Sequence, residues 1–184
     1  MRYALLALAA LFSLTACQRD SSQVMREVQR AEQDRLELSA ATGAESARFI
    51  AEKRRAPGVR TTASGLSYRI TRPAPDPELP SPTREAQVLV NYEGRLLDGT
   101  VFESSEQRNG GAVMIPIAAV PAGLREAIML MRPGEEVVAY LPPDLAYGDR
   151  GAPPAIPPNA AVQFRVELLA YTRADGTVIM APTQ

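Results

Sequence analysis

The sequence predicts an α+β protein: an antiparallel sheet of five to six strands wrapped on one short helix, preceded by an N-terminal helical segment. Three observations predict it. Between residues 20 and 56, apolar positions recur at three- and four-residue steps. From Thr61 onward, apolar and polar residues alternate in short runs separated by Gly, Pro, Asn and Asp. Within that second region only Leu124–Met131 carries a helical spacing, closed by Arg132-Pro133-Gly134.

The first helix finds a cap at Ser21 or Ser22. Val24, Val28, Ala31, Leu38 and Ala41 fall on one side of it, interrupted by Arg35. Glu27/Arg30, Glu32/Arg35 and Glu45/Arg48 set opposite charges at i,i+3. Gly43 is expected to break the run. Ala44–Arg55 then forms a second helical stretch with Phe49 and Ile50, stopped by Ala56-Pro57-Gly58. The stripe is narrow and rich in alanine. It reads as a solvated spacer or as a dimerisation helix over residues 21–55; a heptad seam would be longer and more apolar.

Strands are expected at Leu66–Thr71, Val88–Leu97, Val101–Ser104, Val113–Ile117, Glu136–Leu141 and Val162–Ala170. Asp98-Gly99 is a hairpin turn. Pro73–Pro82 holds five prolines in ten residues and reads as a stiff connector. Asp144–Asn159 is a long Gly/Pro-rich segment, and loops of that length inside compact domains are often functional. The tail Thr172–Gln184, with Asp175-Gly176 and Thr177-Val-Ile-Met180, adds a hairpin to the sheet edge or stays loosely ordered.

Composition excludes whole classes of chemistry. The 184 residues include no histidine, no tryptophan and one cysteine. Without histidine there is no Ser-His-Asp or Cys-His nucleophile, no imidazole base and no His-ligated zinc or haem. One cysteine allows no internal disulfide and no CxxC pair. The net charge of -1 argues against nucleic acid, whose phosphates require a basic excess. Chemistry must come from carboxylates, hydroxyls, backbone groups or the shape of a pocket.

At the N-terminus Arg2 precedes an apolar run, Ala4–Leu14, broken only by Ser13. Eleven residues fall short of the roughly 20 that span a bilayer, and fit a secretory signal instead. The segment ends Leu14-Thr15-Ala16-Cys17, which resembles a bacterial lipobox. That resemblance implies a signal peptide over 1–16 and a lipid anchor on Cys17. Each buried CH₂ of an acyl chain contributes about 0.8 kcal/mol, so several chains hold firmly. Gln18 rather than Asp follows the cysteine, which resembles the outer-membrane class of such lipoproteins, facing the periplasm.

Three further stretches resemble one family. Val90-Asn-Tyr-Glu-Gly-Arg-Leu-Leu-Asp-Gly-Thr-Val-Phe-Glu-Ser-Ser105 resembles the strand-hairpin signature of FKBP-type peptidyl-prolyl isomerases. Pro142-Pro-Asp-Leu-Ala-Tyr-Gly148, then Ile156-Pro-Pro-Asn159 with Val162-Gln-Phe-Arg-Val-Glu-Leu-Leu169, resemble its later signatures in the family's order. Thr62-Ala-Ser-Gly-Leu-Ser-Tyr68 is similar to the entry to the domain in Mip/FkpA-type members, which carry a helical N-terminal dimerisation module. The resemblance implies an FKBP-like fold and isomerisation of X-Pro bonds. It places Tyr92, Phe102 and Phe164 as aromatic walls, Val120 at the rim through a backbone N–H, and Tyr147 as a hydroxyl donor. Ile156 would cover the proline ring.

Four positions depart from that pattern. Leu124 stands where the family usually places Trp as the pocket floor. Pro121 removes a backbone donor. Glu103 replaces the usual Asp with a longer carboxylate, and a further aromatic expected near Ala112 is absent. No cofactor is implied. The organisation read from the sequence is a signal peptide over 1–16, a lipid-anchored helical spacer over 17–56, an isomerase domain over 57–171 and an extension over 172–184. The function it implies is a prolyl isomerase acting on proline-containing polypeptides of the cell envelope and assisting their folding. The alternatives are a non-catalytic binding module or chaperone with a degraded pocket, and a small-ligand-binding lipoprotein.

Overall fold

The computed structural model describes residues 9–182, with side chains for residues 21–182. The expected signal segment 1–16 begins outside the described residues, and the Cys17 side chain lies outside them as well. The chain divides into two compact units between Leu38 and Ser39. Helix α1, Ala9–Arg54, contributes to both. In the first unit Val24, Met25, Val28, Leu36 and Leu38 are 50–59% exposed, and Glu32 pairs with Arg35 at 2.7 Å.

The second unit is an eight-stranded antiparallel sheet. Its strands are β1 (Arg60–Thr61), β2 (Ser67–Arg72), β3 (Gln87–Arg95), β4 (Val101–Ser104), β5 (Val113–Pro116), β6 (Glu136–Leu141), β7 (Val162–Thr172) and β8 (Val178–Met180). They run in the order β1-β2-β6-β7-β3-β4, with β5 on β3 and β8 on β7. Strand β3 alternates strictly, burying Val88, Val90, Tyr92 and Gly94. Helix α3, Ala122–Leu130, lays Leu124, Ala127 and Ile128 on that face, where they join Val137, Ala139, Val166 and Leu168. Each such buried aliphatic contributes about 1.5–3 kcal/mol. A Cβ on Gly123 would stand 2.7 Å from Leu141 Cγ, so only glycine lets α3 sit this close to β6.

The opposite face is covered by the last turns of α1. Ile50 is buried with Val138, Tyr140 and Ala161, and Phe49 meets the Tyr140 ring edge-on at 5.9 Å. Residues 39–54 therefore pack on the sheet, although the sequence reading groups them with the spacer. Gly43 does not break α1. Tertiary contact outweighs its poor helix propensity, since Ser39 and Ser46 on either side of it hydrogen-bond Asn159 and Ala161.

Leu124–Met131 is not the only helix after Thr61. Five residues, Ser105–Asn109, form α2. Ser104 Oγ caps it by accepting the Gln107 N–H at 3.1 Å, and Gly110 closes it in the left-handed region at φ 66°. The caps are legible, but five residues are too few to show an apolar period. Two 3₁₀ turns, Ile117–Ala119 and Pro143–Leu145, escape notice for the same reason. The sheet exceeds six strands because β1 and β8 span only two and three residues. Asp98-Gly99 closes the β3–β4 hairpin, with Gly99 at φ 88°. The tail adopts its hairpin form: Ala170–Thr172 pair with Val178–Met180. The proline-rich connector is held by Tyr171, whose hydroxyl donates to the carbonyls of Pro80 and Ser81.

Candidate active site

Pairing of β3 with β7 sets Tyr92 opposite Val166 and Gly94 opposite Phe164. The β4 strand brings Phe102 over Gly94. A Cβ on Gly94 would stand 2.6 Å from Phe102 Cζ and 2.8 Å from Phe164 Cε1, so the absence of a side chain makes room for both rings. Phe102 meets Phe164 edge-on, with centroids 5.6 Å apart at 89°. It meets Tyr147 edge-on at 6.1 Å and 90°. Edge-to-face contacts of this kind contribute about 0.5–1.5 kcal/mol each beyond burial.

Tyr147 and Phe164, with Tyr92, border a cavity of about 560 Å³ between the sheet and α3. Of the residues singled out in the sequence, Tyr92, Glu103, Val120, Leu124, Tyr147 and Phe164 line it. Phe102 stands behind Tyr147 and Phe164. Ile156 lies away from the lining, 3% exposed, and exchanges two backbone hydrogen bonds of 2.9 Å with Ala152. Leu124 forms an apolar floor from the first turn of α3, with Ile128 one turn on. Val120 follows the 3₁₀ turn Ile117–Ala119 at the cavity edge, and Pro121 beside it has no N–H to offer.

Sequence reasoning missed Arg108. It and Glu103 are the charged residues in the lining. The Tyr92 hydroxyl donates to Glu103 Oε1 at 2.7 Å, and the Arg108 guanidinium reaches both the Tyr92 hydroxyl and Glu103 Oε1 at 3.3 Å. Arg108 is delivered by α2, whose existence no apolar pattern announces. The hairpin is fixed to α2 from the other side by Ser105, whose Oγ accepts the Tyr92 N–H at 3.0 Å.

Burial drives the electrostatics. It raises the Tyr92 pKa, aided by its bond to Glu103 and opposed by Arg108. The Tyr147 hydroxyl is pushed up to about 12, first by burial and then by Glu103 and Tyr92. Arg108 is raised as well, chiefly by its bond to Tyr92. The Tyr147 hydroxyl makes no hydrogen bond to any described residue. The site thus offers a mainly apolar chamber with an uncommitted hydroxyl, that of Tyr147, at its wall.

An apolar chamber of this size with a free hydroxyl at its wall has the form of a small-molecule or side-chain binding pocket. Family comparison agrees. Residues 80–169 match the FKBP-type peptidyl-prolyl cis-trans isomerase, and residues 7–70 match the domain amino terminal to FKBP-type peptidyl-prolyl isomerase. The chain belongs to the FKBP-type peptidyl-prolyl cis-trans isomerases, of the Mip/FkpA kind. It is similar to the FKBP-type 22 kDa peptidyl-prolyl cis-trans isomerase of Escherichia coli, with 38% identity over 148 residues, 80% of this chain and 70% of that one. It is 42% identical over 136 residues to a probable FKBP-type peptidyl-prolyl cis-trans isomerase FkpA of Neisseria meningitidis. That match takes in 74% of this chain and 48% of the relative, so the chain spans about half the relative's length. The crystal structure of FkpA from Escherichia coli superposes with a TM-score of 0.76 at 29% identity, covering 90% of this chain and 72% of that chain.

Proposed function

We propose that the chain isomerises X-Pro peptide bonds of polypeptides in the cell envelope. The observation that carries this reading is the cavity itself: apolar walls and floor, with the Tyr147 hydroxyl unspent. Rotation about an X-Pro bond faces a barrier of about 18–20 kcal/mol from amide resonance, while its two ends differ by only about 0.5–1 kcal/mol. No nucleophile, metal or base is needed. A dry chamber favours the twisted amide, whose charge separation is smaller than that of the planar one. In this reading Tyr92, Leu124 and Phe164 hold the proline ring, with Phe102 stiffening the wall. Tyr147 and the Val120 N–H donate to the flanking carbonyls, while Glu103 keeps the Tyr92 ring oriented. Ile156 supports the loop that carries Tyr147. A protease-free isomerisation assay on a short X-Pro peptide tests it; rates equal to buffer from folded protein would sink it.

A second reading is favoured by Pro121 and Leu124. With one donor missing and an aliphatic floor, the cavity would hold proline-containing segments without turning them over. That reading expects suppressed aggregation of an unfolded client in the absence of isomerase activity.

For location, the proposal is that residues 1–16 direct export and are removed, and that Cys17 then carries lipid in the outer membrane. The support is the Leu14-Thr15-Ala16-Cys17 run and Gln18 after it. A similar protein of Legionella longbeachae is named outer membrane protein MIP. Mass spectrometry of the N-terminal peptide from membranes tests it; an unmodified Cys17 is the contrary result. Val24, Val28 and Leu38, exposed on the first unit, are proposed as a contact for a second copy. Because residues 39–54 are spent on the sheet, that contact falls within 21–38, and sedimentation of a Val24→Glu, Val28→Glu double variant tests it.

A further inference from the structure

Three small residues on one face of α1 converge on one loop residue. Ser39, Gly43 and Ser46 stand at i, i+4 and i+7, and each meets Asn159. Asn159 Nδ2 donates to Ser39 Oγ at 2.8 Å. Ser46 Oγ donates to the Asn159 carbonyl at 2.9 Å and accepts the Ala161 N–H at 2.7 Å. Gly43, between them, faces Asn159, whose Cβ lies within van der Waals reach of a side chain there. Ser46 is 1% exposed, so its hydroxyl is a buried bridge between two backbone groups. Removing it leaves the half-buried Asn159 carbonyl and the buried Ala161 N–H without partners.

Asn159 is the non-glycine residue with positive φ among those described, at 57°. Its own N–H donates to the Gly148 carbonyl at 2.9 Å, and the Gly148 N–H donates to the Pro143 carbonyl at 2.9 Å. Gly148 directly follows Tyr147. A continuous path therefore runs from α1 through Ser46, Asn159 and Gly148 to the hydroxyl-bearing ring of the cavity. Neither Ser46 nor Asn159 lines that cavity.

We propose that Ser46 and Asn159 are positioning residues for the isomerase. Helix α1 fixes the Gly148–Asn159 loop from outside, and the loop fixes the Tyr147 hydroxyl where a substrate carbonyl needs it. This inference rests on the isomerase reading above. Misplacement of a donor by about 1 Å is enough to cost large factors in rate. Loss of the Ser46 hydroxyl relaxes the loop and lowers catalysis without touching the chamber walls.

The test uses the full chain and a short X-Pro peptide, well below the unfolding temperature of each variant. Ser46→Ala should lower kcat/KM about tenfold, the loss that one hydrogen bond of ordinary strength represents. Ser46→Thr keeps the hydroxyl and should restore activity to within about threefold of the parent. Tyr171→Phe removes a comparable buried hydroxyl, far from this path, and should leave kcat/KM unchanged at a similar loss of stability. Amide exchange at Asn159 should accelerate in Ser46→Ala and not in Tyr171→Phe. Should Ser46→Ala fail to fold, Asn159→Gly keeps the positive φ while dropping the bond to Ser39, and should lower kcat/KM about threefold. Parental kcat/KM in a folded Ser46→Ala, or in Asn159→Gly, overturns the proposal. So does an equal loss in Tyr171→Phe. A parent chain inactive on X-Pro peptides overturns the isomerase reading and this inference with it, whereas an active parent with an indifferent Ser46→Ala overturns this inference alone.

Discussion

The Tyr92 hydroxyl donates to Glu103 Oε1 at 2.7 Å, joining β3 to β4 at the cavity wall. Tyr92→Phe removes this bond and leaves the carboxylate to Arg108 alone. The expected cost is about 1.5–3 kcal/mol of stability, read as a lower urea midpoint, because a hydrogen bond to a charged acceptor is lost. The phenyl ring still fills its place, so kcat/KM should fall only about two- to threefold.

Tyr147→Phe should act in the opposite proportion. Its hydroxyl has no partner to lose among the described residues, so the unfolding midpoint should stay close to that of the parent. If the hydroxyl donates to a substrate carbonyl, kcat/KM should fall about tenfold. An unchanged kcat/KM removes Tyr147 from the site.

Activity should be flat between about pH 6 and pH 9, since no histidine is present and the Tyr147 hydroxyl keeps its proton up to about 12. Stability behaves differently in alkali. An unfolded tyrosine loses its proton near 10, below the folded value, so above pH 10 the unfolded state binds fewer protons. The stabilisation is complete below about pH 10 and is lost as pH rises toward about 12. Denaturation midpoints measured across that window should fall more steeply for the parent than for Tyr147→Phe.

Gly94→Ala should be the damaging small substitution at the cavity wall. Its Cβ would overlap Phe102 and Phe164 at 2.6 and 2.8 Å. Forcing the rings apart should cost about 1–3 kcal/mol, with a drop in Tm and a loss of isomerase activity at temperatures where the protein remains folded.

Leu124→Trp tests the floor. The cavity of about 560 Å³ has space beside Leu124 for a larger side chain. A flat aromatic platform under the proline ring should raise kcat/KM about three- to tenfold, in keeping with about 0.5–1.5 kcal/mol for such a contact. A fall in kcat/KM would show that the aliphatic floor suits the substrates of this chain.

The strands and α3 were legible because each has a face to bury. Val88, Val90 and Tyr92 alternate for that reason, and so do the apolar positions of β7. What escaped notice was short or locally polar. Helix α2 is five residues without an apolar stripe, and Arg108 rides on it. Gly43 reads as a helix breaker because propensity is a local quantity, whereas its contact with Asn159 spans more than a hundred residues. The pocket residues emerged from ordered motifs rather than from periodicity. Ile156 illustrates the limit: its motif is clear, yet the fold turns it into the core beside Ala152.

Strand β3 pairs with β4, β5 and β7, and its link to β7 joins residues as distant as Gln87 and Thr172. Contacts of such separation are slow to form. The chamber has no wall at Phe164 until that late pairing is made, so a nascent or half-finished chain has nowhere to hold a proline. A protein proposed to help others fold is thereby silent until its own folding is complete.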